Sequence, residues 1–390
     1  MKISRSVARL KPAATLAVSA KAQALKAQGR NILSLSVGEP DFPTPEHIRA
    51  AAKDALDAGF THYTPVPGLP DMLDAAAGYF NRFYDAGASG ENIIVSNGGK
   101  HSIYNIFRCL LDPGDEVLVP APYWVSYPPM AELTGASAVI VGAPPEKNFK
   151  VDPDMLEAKL TPRTRMLVVN SPSNPTGVCY TQAELDALAR WAVDRKLIIL
   201  SDEIYDRLIY GRAESASLCS WWKQYPEHFV IVNGVSKTFA MTGWRLGYAL
   251  AEPELVKAMS RLQGQSTSNV CAVSQKAAVA ALNGSFDAVE NMRAAFERRR
   301  DLALSIMAGW PDVLCPRPEG AFYLFPDVHA HYGAAFSDSV SFCSYLLEEI
   351  GVAVVPGAAF GDDRCIRISY SVDDETLSEA LEKIGGALSR

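Results

Sequence analysis

Cysteine is scarce in this chain, and its few cysteines form no close pairs. The 390 residues include seven, none spaced as C-x-x-C. This pattern excludes zinc ribbons and zinc fingers, and an odd, scattered set is typical of a reducing compartment rather than a disulfide framework. We therefore expect a cytoplasmic protein. We also expect no metal site, because His329 and His331 have no helical spacing and no acidic cluster beside them, and we interpret them as loop residues.

Several common catalytic motifs are missing as well. No two glycines are separated by a single residue, so the G-x-G-x-x-G dinucleotide fingerprint is absent. The glycine pairs in GWRLG (243–247) and GAAFG (357–361) have the spacing of a nucleophile elbow but lack its central serine. Neither H-E-x-x-H nor G-x-x-x-x-G-K-[ST] occurs. These absences argue against a standard Rossmann dehydrogenase and against an α/β-hydrolase.

The chain also lacks a basic field and a long apolar run. Its formal net charge is −7 and its pI is near 5.5, which argues against binding to nucleic acid or to acidic membranes. No apolar run approaches the ~18 residues that a membrane helix needs. The first 20 residues resemble a signal peptide only faintly, because their apolar patch is short, and we expect no secretion.

The segments that are present predict an α/β protein of two domains. Short β-branched runs alternate with long Ala/Leu-rich segments, as in a mainly parallel sheet covered by helices. We predict a large domain over residues 46–289 and a small α+β domain from residues 1–45 and 290–390. Candidate strands of the large sheet are 92–96, 116–120, 165–170, 197–201, 229–233 and 245–250, and candidate helices include 101–111, 123–134 and 182–195.

Polar residues follow several of these strands, at the edge where open α/β sheets bind ligands. The run SNGGKHS (96–102) closes a strand and opens a helix, an arrangement that binds phosphate, although an ordinary tight turn explains it equally well. Asp202 follows another strand, with Tyr205 three residues later. A carboxylate at this place is either a ligand at the sheet edge or a helix cap.

Two further strand ends add an asparagine and a lysine. Asn174 lies between two prolines in NSPSNPTG, where a structural loop is the alternative interpretation. In VSKTFAMTGWR, Lys237 has apolar neighbours and Arg245 follows, and desolvation makes a lysine amine available for Schiff-base chemistry. An anion turn, a carboxylate, an asparagine, a tyrosine and a masked lysine together suit pyridoxal 5′-phosphate (PLP).

Blocks along nearly the whole chain resemble the fold-type-I, class I aminotransferases. The likeness is greatest to the bacterial beta subgroup of aspartate aminotransferases, some of which also act on prephenate. It implies a mainly parallel seven-stranded sheet domain and a small α+β domain. The blocks, in family order, are SVGEPDFPTP (36–45), HYTPVPGLP (62–70), NGGK (97–100), PYWVSYP (122–128), NSPSNPTG (170–177), SDEIYDRL (201–208), SKTFAMTGWRLGY (236–248) and IRISY (366–370).

The resemblance implies catalytic roles for Lys237, Asp202 and Tyr205. Lys237 would form the internal aldimine with PLP and then move the substrate proton, and Asp202 would keep the ring nitrogen protonated. The other cofactor contacts that it implies are Tyr205 and Asn174 at the phenolic oxygen, Trp124 on the ring face, Ser236 beside the lysine, Arg245, Gly98, Gly99 and Lys100 at the phosphate, and Tyr63 from a second subunit.

Substrate residues follow from the same resemblance. Arg367 would bind the α-carboxylate as a bidentate fork, helped by the backbone of Gly38 and flanked by Trp124 and Asn174. The distal-carboxylate arginine of the alpha subgroup has no counterpart before Ser268 and Asn269, and Lys100 is the substitute. Two further positions bear on the comparison: Lys11 resembles a position tied to prephenate use, and Gly234 replaces a serine that often touches the phosphate.

These features predict an aminotransferase that moves the amino group between L-aspartate and 2-oxoglutarate by a ping-pong mechanism. Its partners would be small amino acids and 2-oxo acids, and it would be a homodimer because Tyr63 would reach a neighbouring site. The alternatives are an aminotransferase for aromatic or other amino acids and a β-eliminating lyase, since one cofactor apparatus serves many reactions. A binding protein without turnover is disfavoured, because both Lys237 and Asp202 are present.

Overall fold

A seven-stranded sheet dominates the computed structural model, which describes residues 1–10, 12, 14–333 and 336–389. The strands are β1 (Leu33–Ser34), β2 (Ile93–Ser96), β3 (Glu116–Ala121), β4 (Ser137–Gly142), β5 (Thr164–Asn170), β6 (Ile198–Asp202), β7 (Phe229–Gly234), β8 (Gly247–Leu250), β9 (Tyr323–Leu324), β10 (Val352–Ala353), β11 (Val355–Pro356) and β12 (Ile366–Ser369). The α-helices are α1 (Arg5–Ala8), α2 (Ala14–Ala27), α3 (Glu46–Asp57), α4 (Pro70–Tyr84), α5 (Gly99–Leu110), α6 (Tyr127–Glu132), α7 (Pro153–Glu157), α8 (Gln182–Asp194), α9 (Cys219–Gln224), α10 (Val235–Thr238), α11 (Pro253–Gly264), α12 (Ala272–Asn283), α13 (Asp287–Met307), α14 (Ser339–Tyr345) and α15 (Asp374–Leu388).

The large sheet is mainly parallel, as predicted. Its strand order is β2-β8-β7-β6-β5-β3-β4, and only β8 runs antiparallel to its neighbours. The central strands β6 and β7 are buried along nearly their whole length, which explains their continuous apolar sequence. All the parallel strands end at one edge, so the residues after β5, β6 and β7 meet there.

Helices cover both faces of this sheet, so it has two apolar cores. One face packs against α3, α4, α8 and α12, with residues such as Leu167, Ile199 and Ile231 pointing into that core. The other face packs against α5, α6 and α11, with the alternate residues Val168 and Leu200 pointing there. The period-2 alternation of each strand therefore serves two layers of helices.

Two sequence predictions differ from the structure. The edge strand β4 was not predicted, although its sequence SAVIVG is apolar; only Val141 of its six residues is buried. The predicted helix 123–134 is confined to α6, because Pro128 and Pro129 fit only within the first turn of a helix. The chain before Tyr127 is a turn rather than a helix.

The remaining strands form two small sheets beside the large one. β11, β12 and β9 are antiparallel neighbours, and β1 pairs with β10 in parallel. Their residues share a separate core with α13 and α15, including Phe296, Leu324 and Ile368. The division of the chain at residues 45/46 and 289/290 stays a prediction, and this separate core supports it.

Three further observations bear on the sequence predictions. His329 and His331 lie in a short 3-10 helix rather than a loop, and they bind different partners, the Asp327 carboxylate and the Pro311 carbonyl. Within the described residues, no cluster of three or more His, Cys, Asp or Glu side chains is placed to hold a metal ion. In that same part of the chain, every helix is too short or too polar to cross a bilayer.

Candidate active site

A cavity of about 260 Å³ opens at the carboxyl ends of the parallel strands. It brings together residues from the start, middle and end of the chain. Those predicted for the site that line it are Gly38, Gly99, Lys100, Trp124, Asn174, Asp202, Tyr205, Ser236, Lys237, Arg245 and Arg367.

Lys237 supplies the only lysine amine that lies deep in this cavity among the described residues. It lies on α10, directly after the buried strand β7, and its Nζ donates a hydrogen bond to the Gly38 carbonyl at a distance of 2.5 Å. Burial lowers the pKa of Lys237 to about 8, although the nearby Glu39 carboxylate raises it in part. A neutral, nucleophilic amine is therefore accessible near neutral pH.

Asp202 is the last residue of β6, and its carboxylate is almost wholly buried. Burial raises the pKa of Asp202 to about 6, and hydrogen bonds oppose that rise. Its Oδ2 accepts from the Tyr127 hydroxyl at 2.6 Å, and its Oδ1 accepts from the Ile204 amide at 3.3 Å. Sequence analysis missed Tyr127, although it belongs to the PYWVSYP block.

In the predicted phosphate turn, the backbone of Gly98 and Gly99 lies in close contact with Arg245 and Gly247. Gly98 has φ +89° and precedes α5, whose first amides have no partner within the helix. A Cβ at Gly98 would collide with the guanidinium of Arg245, and a Cβ at Gly247 would collide with the amide of Gly99. Burial and the charge of Arg245 both lower the pKa of Lys100, so two cations flank this turn. The turn is therefore suited to an anion.

Arg367 lies on β12 and is 2% exposed. Its Nη1 donates to Asn174 Oδ1 at 3.1 Å and its Nη2 donates to the Ser36 carbonyl at 2.8 Å, and both acceptors are neutral. Its Nε has no partner among the described residues. The guanidinium carbon lies 4.6 Å from the ring centre of Tyr323. A buried cation with only neutral partners is costly, and a carboxylate ligand would complete the site.

The cavity contains residues that sequence analysis did not select. Tyr323 shares a hydrogen bond with Tyr205, with the two hydroxyl oxygens 3.0 Å apart. Asn170 donates to the main-chain oxygen of Asp202 and accepts from the amide of Asn174, so it joins two strand ends. Asn170 begins the NSPSNPTG block, whereas no local pattern marks Tyr323. Thr15 and Thr242 also line the cavity.

Two predicted site residues, Gly98 and Tyr63, are not part of the cavity lining. Gly98 is directly behind the turn, where Arg245 covers it. Tyr63 is 92% exposed on the surface of the chain. Lys11 lies outside the described residues. Gly234, which stands where many family members have a serine, packs against Gly247, and a Cβ there would lie 3.0 Å from the Gly247 Cα, a tight contact.

Residues 30–384 match the family described as "Aminotransferase class I and II". The chain belongs to this family. The aminotransferase is 46% identical over 389 residues to an aspartate/prephenate aminotransferase of Cereibacter sphaeroides, covering 98% of this chain and 97% of that relative. It is 43% identical over 385 residues to an asparagine–oxo-acid transaminase of Streptococcus mutans, covering 98% of each chain.

A solved structure extends the match to three dimensions. The aspartate aminotransferase of Thermus thermophilus with maleate superimposes with a TM-score of 0.95 at 43% identity, covering 100% of both chains. This likeness confirms the predicted fold class. The relatives share the fold and the family but differ in the amino donor that they are named for.

Proposed function

We propose that this aminotransferase uses PLP to move the amino group between L-aspartate and 2-oxoglutarate in a ping-pong reaction. The observation that carries the proposal is the charge distribution in one cavity. An anion turn lies at Gly99, the buried Arg367 lies on a different strand, and the buried amine of Lys237 opens into the same cavity. The names of the relatives support aspartate as the amino donor.

The donor set fits PLP group by group. The amides at the start of α5 and Arg245 suit its phosphate, and Asp202 suits its ring nitrogen. Lys237 suits its aldehyde. Tyr205 and Asn174 would hold its phenolic oxygen, and Trp124 and Ser236 complete the lining. When bound, PLP supplies an electron sink that lets the C–H bond beside the amino group ionise.

Each of three side chains then has a defined task. Lys237 would take the proton from the substrate α-carbon and would return it to the C4′ carbon of the cofactor, because burial lowers its pKa to about 8 and leaves part of the amine neutral. Asp202 would keep the ring nitrogen protonated, because a buried carboxylate favours a cationic partner. Arg367 binds the α-carboxylate and so orients the C–H bond toward Lys237.

Lys100 supports the choice of a dicarboxylic substrate. Its backbone belongs to the first turn of α5, and its ammonium lies 4.9 Å from the ring centre of Trp124 at the cavity. The ammonium thus lies at the cavity, where it supplies a cation that a second substrate carboxylate would need. Prephenate is a further acceptor of the same proposal, and an aminotransferase for aromatic or other amino acids is the alternative.

Initial rates with a panel of amino donors test this proposal. Aspartate, asparagine, alanine and phenylalanine would each be paired with 2-oxoglutarate and with prephenate, and glutamate with prephenate alone, because glutamate and 2-oxoglutarate give no net reaction. We expect the highest kcat/KM for aspartate with 2-oxoglutarate. A higher value for asparagine or phenylalanine would overturn the aspartate assignment and leave the PLP assignment standing.

We also propose that the enzyme is a cytoplasmic homodimer in which Tyr63 reaches the phosphate of the partner's site. The 92% exposure of Tyr63 supports this, because a partner would cover it, and the seven free cysteines support a reducing compartment. Mixing inactive Lys237→Ala with Tyr63→Phe tests the dimer. Subunit exchange should pair an intact Lys237 with an intact Tyr63 and restore one full site per hybrid. A fully active monomer in sedimentation would refute the proposal.

A further inference from the structure

Tyr127 is a buried phenol directed at a catalytic carboxylate. It is the first residue of α6 and is 1% exposed, and its hydroxyl donates to Asp202 Oδ2 over 2.6 Å. Burial and the charge of Asp202 raise the pKa of Tyr127 well above its usual value. The phenol therefore stays protonated at neutral pH and acts as a donor.

The surroundings of Tyr127 hold this hydroxyl in place. Its ring packs edge-on against Trp124, with 5.2 Å between the ring centres, and its amide donates to the Trp124 carbonyl. It belongs to the apolar core that contains Val119, Val168 and Met130. A close-packed ring has little freedom to turn, so the donor direction is fixed.

The hydrogen bond from Tyr127 to Oδ2 of Asp202 leaves Oδ1, the other carboxylate oxygen, open to a ligand. Oδ1 of Asp202 accepts only the longer contact from the Ile204 amide, at 3.3 Å, among the described residues. A carboxylate has about four acceptor positions on its two oxygens, so Oδ1 keeps capacity for a ring N–H. A donor on Oδ2 also favours the charged carboxylate against the effect of burial.

We propose that Tyr127 is a positioning residue that sets both the direction and the negative charge of the Asp202 carboxylate for the cofactor ring. This inference rests on the proposed function. Tyr127 touches neither substrate nor cofactor in it, and acts through Asp202 alone. The hydroxyl, rather than the ring, carries the effect.

Tyr127→Phe removes the hydroxyl and keeps the ring. Tyr79→Phe is a matched control, because Tyr79 is equally buried and donates to a different carboxylate, Asp206 Oδ2, at 2.5 Å. The affinity of the full-length apoprotein for PLP would be measured by fluorescence titration from about pH 5.5 to about pH 8.5, which brackets the Asp202 titration.

We expect Tyr127→Phe to bind PLP roughly 10- to 100-fold more weakly near pH 6.5, the range for a lost hydrogen bond to a charged group. The difference in PLP affinity between Tyr127→Phe and the wild type should become smaller toward alkaline pH, where Asp202 is ionised in both proteins. The kcat for aspartate should fall more than its KM changes. Tyr79→Phe should match the wild-type affinity and pH profile even if it unfolds more easily.

A double-mutant cycle decides whether the effect passes through Asp202. In an Asp202→Asn background, Tyr127→Phe should weaken PLP binding by less than about threefold, because the charge that it supports is already gone. An equal loss in both backgrounds would show a packing role and overturn the inference. An unchanged pH profile in Tyr127→Phe would also overturn it.

A second substitution covers the case in which Tyr127→Phe does not fold. Replacing Tyr127 with 3-fluorotyrosine keeps the ring and strengthens the donor, so the acid limb of PLP binding should shift to lower pH. No shift, or a shift to higher pH, would overturn the inference. If wild-type protein fails to bind PLP at all, the proposed function fails instead, and that result is distinct from each of these.

Discussion

The amine of Lys237 and the carbonyl oxygen of Gly38 are 2.5 Å apart, although 199 residues separate them in the chain. Gly38 comes from the N-terminal segment, and Lys237 follows the central strand β7. The contact fixes the amine within the cavity that Arg367 also lines. It also gives the amine a partner that must be released when the lysine reacts, so the site holds its nucleophile in place beforehand.

Covalent attachment of PLP should occur at Lys237. Its buried amine has a pKa near 8, so it is partly neutral at neutral pH. Borohydride reduction of the holoenzyme followed by peptide mass mapping should place the cofactor on the peptide that contains Lys237. Lys237→Ala should lose on the order of 10²–10⁴-fold in kcat. Lys100→Ala is the control and should keep the adduct; an adduct mapped to another lysine would refute the assignment.

Arg367→Lys should lower kcat/KM for every substrate, because all of them carry the α-carboxylate. A lysine cannot reproduce the planar fork, and we expect about 1.5–3 kcal/mol lost from kcat/KM for aspartate and for alanine alike. Arg299→Lys is a matched control. Arg299 is also buried, and its Nη1 and Nη2 both donate to the Asp41 carboxylate. It should lower the melting temperature and leave kcat/KM unchanged. A loss confined to aspartate would contradict the α-carboxylate role.

Lys100→Ala should discriminate between substrate classes. Its ammonium lies beside Trp124 at the cavity, so it is placed for the distal carboxylate. We expect kcat/KM to fall by roughly 1.5–3 kcal/mol for aspartate and glutamate and much less for alanine and phenylalanine. Equal losses for all four donors would show that Lys100 serves the phosphate or the fold.

Glu203→Gln should change the pH dependence of stability. Glu203 is 1% exposed, and burial raises the pKa of its carboxyl from 4.5 to about 7, despite hydrogen bonds from Ser201 and Ser217. Its folded pKa exceeds the unfolded one, so its stabilisation is full below about pH 4.5 and is lost as pH rises through 7. The amide of Glu203→Gln does not ionise. As pH rises from about 4.5 to about 7, the free energy of unfolding of Glu203→Gln should therefore increase relative to that of the wild type, by on the order of 3 kcal/mol.

Urea unfolding of both proteins at about pH 5, 6, 7 and 8 measures this difference. Glu91→Gln replaces an exposed carboxylate and serves as the control, with no comparable trend expected. A difference between Glu203→Gln and wild type that stays constant with pH would contradict the assigned titration.

Sequence patterns predicted the strand ends well and the contacts between them poorly. Asp202 and Lys237 were found because each follows a continuous apolar strand, and such runs report local burial. The hydrogen bond from Tyr127 to Asp202 depends instead on how α6 packs against the large sheet. Tyr323 reaches the cavity through the pairing of β9 with β12. Neither relationship leaves a local spacing in the sequence.

The strand β4, at the edge of the large sheet, is an element that sequence analysis did not predict. The strand β4 has an apolar sequence, SAVIVG, but it is an edge strand with a single buried residue, so its apolar run does not report the burial that the run in β6 reports. Lys11 lies outside the described residues, and the proposed contact of Tyr63 involves a second chain. The resemblance to a family named these positions, whereas residue chemistry alone would not have done so.

The contact between Gly99 and Gly247 determines which parts of this enzyme are open to redesign. Because main chain meets main chain there, a Cβ at Gly247 would displace the first amide of α5. The anion turn is thus shaped by the path of the backbone, whereas Arg367 and Lys100 contribute side chains to the cavity lining. A library of point substitutions would therefore explore new amino donors freely, but a cofactor analogue with a larger anionic group would require a new course for β8.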